Sequence, residues 1–115
     1  MALSLENTVD IIEIMENWME RIRPPLSIRP ELDISYKIVD QSIILFEIRP
    51  SFRDPKELTE SPYAKTTYVK SEDIWKVYWM RGNLKWTLYE PRPWVRTLQA
   101  FMKLVDQDKY CCFKG

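Results

Sequence analysis

The spacing of the apolar residues changes at Pro24-Pro25, and that change constrains the fold more than any other feature of the chain. Before it, Leu5, Val9, Ile12, Met15, Met19 and Ile22 recur every three or four positions, which stacks them on one helical face. Ile11 and Trp18 widen the stripe, and Glu6, Asp10, Glu13, Glu16 and Glu20 occupy the other side. Ser4 is expected to cap this helix. Pro24-Pro25 ends it, because the residue before a proline is driven out of the helical region.

After the prolines the period is two. Leu32, Ile34, Tyr36 and Ile38 alternate with Asp33, Ser35 and Lys37, and Ile44, Phe46 and Ile48 alternate with Leu45, Glu47 and Arg49. A two-residue turn between these strands would set Lys37 beside Ile44 and Ile34 beside Glu47. A three-residue loop instead pairs Ile38 with Ile44, Tyr36 with Phe46 and Ile34 with Ile48, and is preferred because it gathers the apolar groups on one face. Residues 50–62, with three prolines among charged groups, are expected to form a long exposed loop. A third strand covers Tyr63–Lys70, with its facing open.

The last two strands meet at Gly82-Asn83, which suits a two-residue turn. That register puts Trp75, Trp79 and Trp86 in the core with Val77 and Leu88. It leaves Lys76, Tyr78, Met80, Lys85, Thr87 and Tyr89 on the other side. Trp18 is expected to pack on the sheet and Trp94 to be the exposed tryptophan. Thr97 is the expected cap of a final helix carrying Leu98, Phe101, Met102 and Val105. The fold class is therefore α+β, one domain over residues 1–115: a five-stranded antiparallel meander with an N-terminal and a C-terminal helix packed on one face, in the order α-β-β-β-β-β-α.

Composition removes whole classes of chemistry. The chain has no histidine, so the commonest general base and metal ligand are missing. Its two glycines, Gly82 and Gly115, build no phosphate-cradling loop. Its two cysteines, Cys111 and Cys112, are adjacent, which suits neither a disulfide framework nor a zinc site and fits a reduced, cytoplasmic protein with both thiols buried. No apolar run is long enough to span a bilayer, and the acids of the first helix exclude a signal peptide, so no membrane association is expected.

Charge is zero in sum and uneven in place. Residues 62–103 carry eight bases against three acids and four of the five tryptophans. Two constellations follow. Glu47 and Arg49 share a face of the second strand, where the preferred register brings Ser35 and Asp33 beside them and Lys65 nearby. The plain reading is a cross-strand ion ladder. The sharper one is a metal-dependent phosphodiester-cleaving or nucleotide-handling site on Glu47, Asp33 and Lys65. The second constellation is Lys76, Tyr78, Lys85 and Tyr89, with Arg81 at the turn. Aromatics interleaved with bases serve single-stranded nucleic acid binding, and equally suit any solvated antiparallel sheet or a protein interface.

Several segments taken in order resemble a known family. They are Phe46-Glu47-Ile48-Arg49-Pro50, Ala64-Lys65 with Tyr68, Trp75-x-x-Tyr78-Trp79-x-Arg81, Trp86-x-x-Tyr89-Glu90-Pro91, and Asp108 with Cys112-Phe113. Together they cover about Arg23 to Phe113 and resemble domain-of-unknown-function family 3024, a group of small bacterial proteins. The resemblance implies a bacterial cytoplasmic setting and supplies no catalytic residues. Where relatives often carry histidine after the tryptophan, this chain has Thr87. The function expected is a non-catalytic binding or interaction module without cofactor or metal, using Glu47, Arg49, Lys65, Lys76, Tyr78, Arg81, Lys85 and Tyr89. A protein partner or self-association through the sheet face or edge is favoured over single-stranded nucleic acid.

Overall fold

The structure, a computed structural model, describes residues 5–109 and 112–113, with side chains from Thr8 onward. The expected cap Ser4 and the thiol of Cys111 lie outside the described residues. Helix α1 spans Leu5–Ile22, and helix α2 spans Leu98–Gln107. Between them run β1 (Asp33–Val39), β2 (Ser42–Pro50), β3 (Leu58–Val69), β4 (Ile74–Met80), β5 (Trp86–Leu88) and the two-residue β6 (Trp94–Val95). The sheet is an antiparallel meander in the order β1-β2-β3-β4-β5, and β6 joins β4 beside β5.

Both helices lie on one face of the sheet. Ile11, Met15, Trp18 and Met19 of α1 and Leu98, Phe101, Met102 and Val105 of α2 close over Ile43, Leu45, Ala64, Trp75, Val77 and Val95. Thr97 caps α2 by accepting a hydrogen bond from the Ala100 amide at 3.1 Å, which satisfies one of the helix's orphan donors. No helix among the described residues is long and apolar enough to cross a membrane.

The β1–β2 register differs from the expected one. Ile38 pairs with Ile43, Tyr36 with Leu45 and Ile34 with Glu47, across a two-residue turn at Asp40-Gln41. Asp40 takes the positive φ of 54° that this turn demands, as its short polar side chain permits. The buried face of β2 is thus Ile43 and Leu45, both wholly inaccessible, and strand alternation turns Ile44 between them the other way. Two apolar sets of opposite parity occupied one strand, and the helices cover the shorter one.

The second hairpin departs in the opposite sense. Met80 pairs with Trp86 and Tyr78 with Leu88. The loop therefore holds three residues, Gly82, Asn83 and Leu84, closed by Arg81 donating to the Lys85 carbonyl. The left-handed position falls on Leu84, at φ 61°, not on Gly82. One extra residue rotates the whole strand, so Trp86 leaves the core side and Tyr89 enters it. Tyr89 is 2% exposed and packs on Phe113 with ring centroids 4.8 Å apart.

Strand β3 begins earlier than expected, at Leu58, and only residues 51–57 form the loop. Pro62 sits opposite Phe46, where the ladder slips and Tyr63 is the unpaired extra residue. A proline cannot donate to a ladder, so a bulge is where a strand tolerates one. Val9 and Ile12, expected in the core stripe, are 56% and 41% exposed.

Candidate functional site

The helix-free face of the sheet carries the densest arrangement of interacting polar and aromatic groups. Strand alternation together with the ladders places Ile44 of β2, Lys65 of β3, Tyr78 of β4 and Leu88 of β5 in one row across it. Lys37 precedes this row on β1, opposite Ile44. Trp86, Met80 and Phe46 lie in the adjacent row.

Lys65 is the centre of this face. Its ammonium stands 4.9 Å from the Tyr78 ring centroid and 5.1 Å from that of Trp86. Burial lowers its pKa below the usual lysine value. No carboxylate within ion-pair range answers it among the described residues. Lys37 is placed differently. It lies 4.7 Å over the Phe46 ring and pairs with Glu60 at 3.1 Å, so its charge is answered and Phe46 is sealed from solvent. Lys76, opposite Thr67 and Trp94, is exposed and also lacks an ion pair among the described residues. Trp94 is 41% exposed, with the Arg96 guanidinium 5.5 Å over its ring.

The expected site residues divide accordingly. Lys65, Lys76 and Tyr78 share this face. Arg81 and Lys85 flank the hairpin loop at its rim, Arg81 lying 6.0 Å over Trp79. Tyr89 belongs to the core, which corrects the expectation that it stands beside Lys76 and Tyr78. Glu47 and Arg49 pair with each other at 2.7 Å, on the side of β2 that carries Ile43 and Leu45. The sheet separates them from Lys65. Asp33 pairs with Ile48 rather than Arg49, and its carboxylate takes two hydrogen bonds from Arg23, at 2.8 and 2.7 Å. These bonds hold its pKa below the ordinary carboxylate range. Glu47, Asp33 and Lys65 are therefore three separate sites, and the constellation a phosphodiester-cleaving centre would need is not assembled. No group of three potential metal ligands occurs among the described residues.

Sequence reasoning missed Trp86 and Lys37 on this face. The signal was present, because Trp86 sits at the parity of Tyr78 once the hairpin loop is given three residues. Nothing in Gly82-Asn83-Leu84 advertises that a leucine will take the left-handed position.

Over residues 4–115 the chain matches the family model described as Domain of unknown function (DUF3024). No curated protein and no solved structure is significantly similar to it.

Proposed function

The chain belongs to the DUF3024 family, whose function is unknown, and from its geometry we propose that it is a non-catalytic binding module whose helix-free sheet face holds an acidic partner protein. The observation that carries this reading is Lys65, half-buried between Tyr78 and Trp86 with no acid among the described residues to answer it. A partially desolvated ammonium is an incomplete interaction, and a partner carboxylate arriving at the Tyr78–Trp86 pair would complete it. Ile44, Met80 and Leu88 around it supply the apolar patch that protein interfaces use at their centre.

Nucleic acid fits less well. Four aromatic rings of this face already have a cation over them: Tyr78 and Trp86 (Lys65), Phe46 (Lys37) and Trp94 (Arg96). Base stacking needs an open ring face. A symmetric pair of these faces would set Lys65 toward like charge. The adjacent cysteines and the residue pattern suit a bacterial cytoplasmic setting for such a module.

The test is an NMR titration read at the tryptophan indole N–H signals, using poly-L-glutamate and a single-stranded oligothymidylate as separate probes. Poly-L-glutamate should shift Trp86 and leave Trp75 in place, and Lys65→Met should abolish the shift. Tighter binding of the oligothymidylate at the same ionic strength would overturn the acidic-protein reading in favour of nucleic acid. No shift with either probe would remove this face as an anion-binding surface.

A further inference from the structure

A second surface, remote from Lys65, is unfinished. Among the described residues strand β1 has one hydrogen-bonded neighbour, β2; on its other edge the Ile34 amide is taken by the Asp33 carboxylate at 2.8 Å, and no strand pairs with the rest. Sheet edges of this kind are normally blunted by proline, a bulge or an outward charge, because a free edge templates pairing with another chain. Within β1 there is no proline, and the one ladder slip of the sheet lies between β2 and β3. Its single lysine, Lys37, reaches across β2 over Phe46 toward Glu60, and its single acid, Asp33, is held by Arg23 at the start of the strand, so neither charge guards the stretch from Ser35 to Tyr36.

Beside this edge runs a flank of α1. Val9, Ile12, Glu16, Met19 and Arg23 follow one another at spacings of three and four, hence form one stripe. A cleft of about 400 Å³ separates the lower part of that stripe (Glu16, Met19, Arg23) from Ile34, Ser35 and Tyr36 of β1. The upper part is Val9 and Ile12, residues of the helical apolar pattern that the core leaves exposed. Leu26 and Ile28, in the connection from α1 to β1, are 76% and 44% exposed.

We propose that this chain forms a two-fold homodimer in which β1 pairs antiparallel with β1 of a second copy, α1 flanking the seam. The occupant is a second copy because β1 complements itself. With the axis at Tyr36, Ile34 faces the partner's Ile38, Ser35 faces the partner's Lys37, and Asp33 faces the partner's Val39. No like charges are opposed, and the apolar residues stay on the helix side in both copies. Such a contact is isologous and closes on itself. A seven-residue edge is only ~24 Å long and would by itself fall short of the ~800 Å² per partner of a standard interface. The α1 flank supplies the missing layer, which accounts for Val9 and Ile12.

Sedimentation velocity over a concentration series, on wild type and on the double variant Val9→Lys/Ile12→Lys, tests this. Both positions are exposed, so the variant keeps its fold, which circular dichroism verifies. The wild type should sediment as a dimer, and the variant should dimerise at least ~100-fold more weakly. Hydrogen exchange gives an independent readout: amides of Ser35–Val39 that point away from β2 should be protected in the wild type and lose protection in the variant. A wild type that stays monomeric overturns the proposal. So does a dimer indifferent to the double variant, one broken instead by Lys65→Glu, or assembly that continues past two copies.

Discussion

Truncating Trp86 and Tyr89 separately measures which register the β4–β5 hairpin adopts. With the three-residue loop Gly82–Leu84, Tyr89 is a core residue stacked on Phe113 and Trp86 lies half-covered on the helix-free face. Tyr89→Ala should then cost ~3–5 kcal/mol, the range for emptying a buried aromatic site. For Trp86→Ala the loss is partial burial plus one lysine–ring contact, together about 1–2 kcal/mol. Unfolding entropy for 115 residues is about 0.24 kcal/mol per kelvin, so the melting temperature should fall by ~12–20 °C in the first variant and ~4–8 °C in the second. Thermal unfolding followed by far-ultraviolet circular dichroism, checked by urea titration, reads both. A two-residue turn would exchange the two roles. If Trp86→Ala proves the costlier substitution, the register and the placement of Lys65 between two rings both fail.

Three further substitutions probe other parts of the fold. Leu84→Gly removes a left-handed leucine that is 81% exposed, and should stabilise the domain by ~0.5–1 kcal/mol in urea titration; a loss would mean that Leu84 makes a contact worth more than its strain. Thr97→Ala deletes the α2 cap and should cost about 1 kcal/mol, lowering the melting temperature by ~4 °C, while Thr97→Ser should restore most of it. Arg23→Met frees Asp33, whose pKa Arg23 depresses by hydrogen bonding, so the stabilisation is present above the unfolded value near ~3.9 and is lost as pH falls through the lower folded value. The stability gap between wild type and Arg23→Met should accordingly be steady near neutrality and close in acid; a gap that persists at low pH would show that Arg23 acts through packing of its stem.

The element order was readable because period and punctuation agree. Apolar spacing of three and four ends at Pro24-Pro25, alternation follows, and Thr97 opens the last helix at the expected residue. Registers were not readable, for a specific reason. Strand β2 has apolar residues at both parities, Ile43 and Leu45 against Ile44, Phe46 and Ile48, so hydrophobicity alone does not choose its buried face. The choice is made by the helices, which no local pattern encodes. The second hairpin fails differently, since Gly82 was the obvious left-handed residue and Leu84 is not. Each error amounts to one residue, and one residue in a strand reverses every facing. That is why Lys76 and Tyr78 fall on one face as expected, while Lys65 is expected beside Glu47 and Arg49 and stands instead beside Tyr78, Tyr89 is misplaced and Trp86 is overlooked.

The two proposed surfaces bear on each other through the sheet itself. Lys65 lies on β3, two strands in from the β1 edge. If two copies join at β1, five strand-to-strand steps separate one Lys65 from its counterpart, about 24 Å across the sheet at ~4.8 Å per step. A perpendicular two-fold axis keeps both helix layers on one side, so both lysine sites open on the same continuous face. A polyanion long enough to span them would bind twice, and the second contact would gain from the high effective concentration of a tethered site. Val9→Lys/Ile12→Lys, though remote from Lys65, should therefore weaken poly-L-glutamate binding by ~10-fold or more. A short glutamate peptide unable to bridge should lose nothing. Lys65→Met should abolish both interactions and leave sedimentation unchanged. If the double variant weakens the short peptide as much as the long polymer, the helix flank is itself part of the binding surface, and the two sites are not independent.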